Sequence, residues 1–278
     1  MRRGAIAPIL KWVGGKRQLL DALIPLLPEK IGAYCEPFVG GGALLFCLKP
    51  QTAFVNDVND ELIRVYRVVR DDVEALIAAL GEFRNEPDIF YAVRGWDRDR
   101  ERYASRSDVE KAARLLYLNK TCYNGLFRVN GAGEFNAPFG KYRNPNIANA
   151  EALRAVSSYL GSAAIRLTST DYAEVLETLP KDAFVYLDPP YDPVSDTSSF
   201  TGYSRGGFSR HEQIRLRECC DRLHARGVKF MLSNSATDFI RELYAGYHVT
   251  EVQAKRTINS DAAKRGAVAE VVVRNYLK

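Results

Sequence analysis

Three short apolar runs, each ending in polar or acidic residues, restrict the folds open to this chain more than any other feature. They are TAFVND (52–57), DAFVYLD (182–188) and GVKFMLSN (227–234). A strand buried on both faces reads as a continuous apolar run, and such strands belong to parallel sheets covered by helices. Between the last two runs lies SRHEQIRLRECCDRLHARG (209–227). Ser209 suits an N-cap, Gln213, Leu216, Cys220 and Leu223 recur at helical spacing, and Gly227 suits a stop, so these pieces form one βαβ unit. Another helix starts near Asn59, with Leu62, Tyr66 and Val69 on one face. HVTEVQAKRTI (248–258) and AVAEVVVRNYL (267–277) alternate, which predicts a closing antiparallel hairpin with a long loop over 259–265. The expected fold class is α/β.

The middle of the chain breaks this pattern. From about residue 71 to 149 strands are scarce, and polar and aromatic residues are dense. RGWDRDRERYASRSD (94–108) is a charge run, amphipathic DVEKAARLLYLNK (108–120) follows, and TCYNGLFRVNGAGEFNAPFGKYRNPN (121–146) has the composition of turns and a hairpin. A chain of 278 residues buries one core, or one core with an inserted lobe, and the middle reads as that insertion. No apolar run is long enough for a membrane span, and the N-terminus lacks the apolar stretch and cleavage site of a signal peptide. The five cysteines show no metal-ligand spacing and suit reduced thiols in a cytosolic protein. A net charge of +5 permits a polyanionic partner without requiring one. The three histidines, His211, His224 and His248, share no spacing with acids and read as surface or packed residues.

Three constellations carry possible chemistry. In YCEPFVGGGALLF (34–46) a short strand runs through glycines into an apolar helix, and Asp57 ends the next strand. Glycines admit a close ligand, and a carboxylate at that strand end suits ribose hydroxyls, although a capped structural loop explains the residues equally well. KWVGGKRQ (11–18) adds a second glycine pair between lysines, either a ligand turn or a plain N-terminal turn. In LDPPY, Asp188 falls at the carboxyl end of a parallel strand, where α/β folds bind ligands. Pro189 and Pro190 hold the chain stiff and extended, the Pro189 carbonyl is offered as an acceptor, and Tyr191 adds a flat face. Two acceptors beside an aromatic face suit an exocyclic amine on a planar ring; a capped turn after a strand is the bland alternative. An adenine amine has its lone pair delocalised into the ring. Two acceptors on its hydrogens favour a more tetrahedral nitrogen, and positioning against a sulfonium methyl then supplies much of the catalysis. Carbon methylation of cytosine needs a thiolate, and no cysteine here follows a proline or sits in a comparable loop. In the third constellation, Asn124-Gly125 signals a tight hairpin, crowded by Tyr123, Leu126 and Phe127 and made basic by Arg128, Lys141 and Arg143. A structural turn explains it, and so does a hairpin with an aromatic wedge in a DNA groove.

LKWVGGK, EPFVGGG, NDVN, LYLNK–YNGL–R, GEFNAPFGKY, DPPY and FTGYSRGGFS occur in that order across nearly the whole chain. Together they resemble the DNA adenine-N6 methyltransferases of the Dam type. The resemblance implies a Rossmann-like S-adenosylmethionine-dependent methyltransferase fold, with residues 1–60 and 155–278 catalytic and 61–154 an inserted, mainly helical target-recognition domain with a β-hairpin. It implies S-adenosyl-L-methionine as cofactor and double-stranded DNA as partner, with adenine flipped out, commonly from GATC. It implies no obligatory protein partner and action in the cytoplasm on DNA. By matching position, Trp12, Lys16, Phe38, Gly40, Asp57, Asp171, Tyr172 and Asp188 would line the cofactor site. Asp188, Pro189, Pro190 and Tyr191 would be catalytic, and Lys11, Tyr123, Asn124, Leu126, Arg128, Pro138 and Lys141 would read or wedge DNA. At Lys141 the family commonly has arginine, and lysine cannot form the planar bidentate fork. TSSFTGYSRGGFS (197–209) would be a mobile loop over the active site. Rival readings are cytosine-N4, RNA or protein-glutamine methylation, a DNA binder without activity, and a nicotinamide dehydrogenase. Asp188 counts against the glutamine class, which prefers asparagine there, and DPPY counts against the last two.

Overall fold

The computed structural model describes residues 6–12, 16, 19–194, 208–255 and 267–277. The apolar runs form strands as expected: β1 (Tyr34–Glu36), β2 (Thr52–Asn56), β3 (Ala164–Thr168), β4 (Phe184–Leu187), β5 (Lys229–Ser235), β6 (His248–Lys255) and β7 (Ala267–Arg274). Among the described residues they build one seven-stranded sheet in the order β3-β2-β1-β4-β5-β7-β6. β3 through β5 run parallel, and β7 lies antiparallel between β5 and β6. This is a Rossmann-like sheet closed by the antiparallel pair that the alternating C-terminal runs predict; the loop over 259–265 lies outside the described residues.

In chain order the helices are α1 (Leu20–Leu23), α2 (Ala43–Leu48), α3 (Asp60–Asp71), α4 (Val73–Gly81), α5 (Pro87–Arg94) and α6 (Arg100–Ala104). They continue as α7 (Asp108–Thr121), α8 (Ala150–Ser162), α9 (Tyr172–Glu177), α10 (Arg210–Ala225) and α11 (Asp238–Leu243). Successive strand residues point to opposite faces. Phe184 and Tyr186 of β4 enter one core with α2, α3, α7 and α8, while Val185 and Leu187 enter a second core under α9, α10 and α11. The first core runs without a break through Leu76, Phe90 and Leu115 to Phe127 and Phe135, so the middle of the chain packs continuously with the sheet. Caps fall where the sequence puts them: Asn59 accepts from the Leu62 N–H and Ser209 from the Glu212 N–H, and Gly227 ends α10 at φ +76°.

Two features differ from expectation. β3, sequence AIRLT, was not foreseen. It is an edge strand paired only to β2, and its exposed Ala164 and Arg166 interrupt any apolar run. The tight hairpin expected at Asn124-Gly125 is instead a 3-10 turn leaving α7, with Asn124 at φ +57°. The antiparallel excursion turns at Asn130-Gly131 and beyond: Gly133 N–H donates to Asn130 O, and Asn130 N–H donates to Glu134 O. Its rungs are single bridges, Val129 with Phe135 and Cys122 with Phe139.

One buried side chain ties the sheet edge where ligands bind. Asn56, at the end of β2, donates to the carbonyls of Pro37 (3.2 Å) and Thr170 (3.1 Å). It accepts from Thr170 N–H (3.0 Å) and Thr168 Oγ1 (2.9 Å). The loops after β1, β2 and β3 are thereby fixed to one another. Asn56→Ala strands these groups without partners, and urea unfolding should show a loss of about 2–4 kcal/mol.

Candidate active site

The strand order reverses between β1 and β4, and the crevice at the carboxyl ends of such neighbours is where open α/β sheets hold ligands. Three acids meet this edge: Glu36 ends β1, Asp57 follows β2 and Asp188 follows β4. Three carboxylates cannot cheaply ionise together away from water. Burial pushes Glu36 up to about 8, against the lowering effect of the Tyr34 hydroxyl donating at 2.8 Å; the charges of Asp188 and Asp57 add to the rise. Glu36 is therefore mostly neutral near pH 7. Burial raises Asp57 to about 6, opposed by the Asn59 and Gly40 N–H groups, each donating to its carboxylate at 3.0 Å.

The glycine loop is shaped by contact. Gly40 sits at φ +47°, and a Cβ on it would lie 2.8 Å from Trp12 Cδ1. Its carbonyl accepts from Tyr66 Oη at 2.7 Å. Trp12, Gly40 and Asp57, predicted from separate motifs, thus form one patch of the crevice.

Asp188 sits beside this patch. Burial lifts its carboxyl to about 6, the Lys16 ammonium pulls it down, and Glu270 adds to the rise. Lys16, itself 7% exposed, places Nζ 3.0 Å from Asp188 Oδ1 and 4.3 Å from the Tyr191 ring centroid. The Lys16 ammonium thus meets the buried Oδ1 of Asp188 and holds the carboxylate in place. The two prolines divide their work. The Pro190 carbonyl is taken by Gln213 Nε2 at 2.9 Å, whereas among the described residues none donates to the Pro189 carbonyl. Tyr191 Oη donates to Glu270 Oε2 at 2.8 Å, which fixes the ring. A buried network braces the loop behind: Asp192 N–H donates to Asn234 Oδ1, Asn234 Nδ2 to Gln213 Oε1, and Thr237 Oγ1 to Asp192 Oδ2. Such a network holds acceptors in place before any ligand arrives.

The other expected cofactor residues flank the crevice. Phe38 packs tilted against Tyr172 (5.1 Å between centroids) and edge-on against Phe208 (5.9 Å), an aromatic wall. Asp171 caps α9 through Ala173 N–H and takes a bidentate pair from Arg215 at 2.7 and 2.9 Å, which commits both its oxygens. S-adenosylmethionine has a ribose, an adenine ring and a charged amino-acid end. The crevice offers the Asp57 carboxylate, an aromatic wall, a glycine at position 40 where a Cβ would press on Trp12, and a buried Lys16–Asp188 pair, so the residues present fit that group.

The expected DNA-reading residues lie together beyond Trp12, which stacks on Phe127 at 5.0 Å and 21°. Tyr123 is 51% exposed, and Arg128, Pro138 and Lys141 are also exposed. Arg128 is oriented by Asn136, through Nε to Oδ1 (2.7 Å) and Nη2 to O (3.2 Å). Lys141 adopts φ +54°, and Pro138 O accepts from Tyr123 N–H at 2.8 Å. Most of the expected loop over 197–209 lies outside the described residues.

Sequence reading passed over Glu36, Asn119, Gln213, Asn234 and Glu270. Each is a polar residue at a buried position of an apolar element, and that contrast is the signal that could have found them.

Comparison with known proteins agrees with this geometry. Residues 12–258 match the family described as D12 class N6 adenine-specific DNA methyltransferase. The type II methyltransferase M1.LlaDCHI of Lactococcus lactis subsp. cremoris is 42% identical over 273 residues, covering 98% of this chain and 96% of that protein. The type II methyltransferase M.MjaIII of Methanocaldococcus jannaschii is 40% identical over 291 residues, covering 98% and 99%. The DNA adenine methylase of Escherichia coli (strain K12) is 33% identical over 271 residues, covering 95% and 93%. The chain belongs to the D12 class of N6 adenine-specific DNA methyltransferases, enzymes that draw their methyl group from S-adenosyl-L-methionine.

Proposed function

We propose that the chain methylates the adenine of duplex GATC sites at N6, with the DPPY loop gripping the flipped base and the Tyr123–Lys141 excursion reading its neighbours. The observation that carries this reading is the placing of two acceptors, the Asp188 carboxylate and the Pro189 carbonyl, in succession beside a Tyr191 ring fixed by Glu270. An adenine ring stacked on Tyr191 would present its amine to both. S-adenosylmethionine, when bound, supplies an electrophilic methyl on sulfonium sulfur. Asp188 and the Pro189 carbonyl would accept from the two amine hydrogens and so free the nitrogen lone pair to take that methyl, and the one proton that the methylated nitrogen then sheds would leave by way of the Asp188 carboxylate to water. Trp12, Gly40, Asp57, Phe38 and Tyr172 hold the cofactor, and Lys16 balances the charge of Asp188.

Residues 1–60 and 155–278 carry out methyl transfer in this reading, and 61–154 read the target. Lys11 and Arg128 contact base edges, Tyr123 and Leu126 wedge the step, and Asn124, Pro138 and Lys141 shape and charge the surface. Among the described residues no helix is long and apolar enough to cross a membrane, and the proposed place of action is the DNA of the cytoplasm. Methylation mapping of DNA from cells lacking other methylases, but expressing this chain, should find N6-methyladenine in GATC. A different sequence would overturn the site, and a different atom the chemistry.

Asp188→Ala should keep duplex affinity in gel shift and lose methyl transfer by roughly 10²–10³-fold, the scale of one preorganised electrostatic group. Near-normal turnover would remove Asp188 from the role.

The acid limb of the rate profile follows from the raised Asp188 pKa. Only the carboxylate serves as a pure acceptor, so turnover should fall as pH drops through about 6. Lys16→Met removes the charge that lowers this pKa, so the limb should move to higher pH; an unmoved limb would assign it elsewhere. Stability runs the other way. A carboxyl raised by folding contributes stability that is full below its unfolded pKa and lost as pH rises through about 6, so Asp188→Asn should stabilise the fold at pH 8 more than at pH 5.

A further inference from the structure

The N-terminal segment that reaches the glycine loop also touches the recognition turn, and a single side chain makes the join. Asn119 lies on α7 in the run LLYLNKT and is 1% exposed. Its Oδ1 accepts from Lys11 N–H at 2.9 Å, and its Nδ2 donates to Lys11 O at 2.7 Å and to Gly125 O at 3.0 Å. Both backbone groups of Lys11 are therefore held by one amide, much as a strand partner would hold them. Only asparagine combines these two donations and one acceptance at that length: aspartate lacks the donors, and an aliphatic residue lacks everything.

A second contact fixes the stem of Lys11. Gly125 adopts φ +66°, and a Cβ there would lie 2.7 Å from Lys11 Cδ and 3.0 Å from Lys11 Cβ. The lysine stem thus lies along the 3-10 turn of Tyr123–Gly125, while the residue as a whole is exposed and its Nζ stands 5.6 Å from the Tyr142 ring. The next residue, Trp12, continues the path, stacking on Phe127 of the excursion and touching Gly40 of the cofactor loop.

We propose that Asn119 is a specificity-positioning residue: it roots Lys11 on the recognition turn, so that Lys11 and Tyr123–Gly125 meet DNA as one rigid reading unit. This rests on the proposed DNA reading by Lys11. A lysine is a flexible point charge that specifies poorly by itself. Pinning its backbone and its stem leaves only the end of the side chain to search, and the base pair it meets is set by the turn. Asn119 itself touches no DNA in this arrangement; it acts through Lys11.

A merely structural Asn119 would lower stability and all rates together. A positioning Asn119 changes discrimination. The test uses duplexes carrying the site found by methylation mapping and duplexes with a single substitution at each of its base pairs in turn. The readout is the ratio of kcat/KM between cognate and substituted duplex for wild type, Asn119→Ser, Lys11→Ala and the double variant. Asn119→Ser should lower this ratio about tenfold, the scale of one base contact, with binding of an unrelated duplex nearly unchanged. The double variant should be no worse than Lys11→Ala, because both remove the same contact. Wild-type discrimination in Asn119→Ser, or losses that multiply in the double variant, overturns the proposal. If Asn119→Ser fails to fold, Gly125→Ala tests the unit from its other side, since it keeps Asn119 and presses on the lysine stem. It should lower the ratio at the same base pair, and an unchanged ratio overturns the proposal. A wild-type protein that methylates no duplex overturns the DNA reading, and this inference with it.

Discussion

A carboxylate placed where water is scarce governs the catalytic edge of this molecule. Asp188 ends a strand that is buried on both faces, so its charge must be met by the protein itself. The Lys16 ammonium at 3.0 Å does part of this, and burial still leaves the pKa near 6, an acid poised close to neutrality. Its neighbour Glu36 is pushed further, to about 8, and by staying protonated it spares the crevice a third full negative charge. Of the three acids, the one on the middle strand β1 is the one that stays protonated. Near pH 7 the edge presents two carboxylates and one neutral acid, a distribution that suits a cofactor bearing a positive sulfonium.

The loop that carries Asp188 could not hold its acceptors in place alone. Two consecutive prolines remove backbone donors, and a loop with few donors needs outside partners to become rigid. Gln213 from α10 and Asn234 from β5 supply them, and Glu270 from β7 supplies one for Tyr191. These partners explain why the C-terminal half of the sheet matters to a site whose recognisable motifs lie in β1, β2 and β4. β7 is the strand that brings Glu270 to Tyr191, and it reaches β5 only because it runs antiparallel between β5 and β6.

How much of this was legible in the sequence depends on whether a residue's partner lies nearby in the chain. Strands β2, β4 and β5 were legible because burial on both faces leaves an unbroken apolar run. β3 was not, because an edge strand exposes Ala164 and Arg166 and carries no such run. The DPPY and glycine motifs were legible because their chemistry is local. Glu270, Asn119 and Asn234 were not, since their partners are 79, 108 and 42 residues away and no spacing records the contact. The two Asn-Gly pairs show the same limit. Each fits a tight turn, but Asn124-Gly125 falls in the 3-10 turn that follows α7 after an extended Cys122, and the chain folds back at Asn130-Gly131 instead.

The continuous core under the middle segment bears on how that segment and the sheet are coupled. Had 61–154 been a lobe on a linker, its pose over the crevice would be set by a few exposed contacts. Instead α3 and α7 share one apolar cluster with the sheet, and that cluster extends to Phe127 and Phe135 in the excursion. Trp12 sits at the far end of this continuity, with one face on Phe127 and one edge on Gly40. A displacement of the excursion would therefore press on the tryptophan that borders the glycine loop. Packed interiors transmit such displacements because they have little free volume to absorb them. The spacing between the excursion and the glycine loop is thus a property of the core, and a substitution at Phe127 that alters packing would be felt at Gly40.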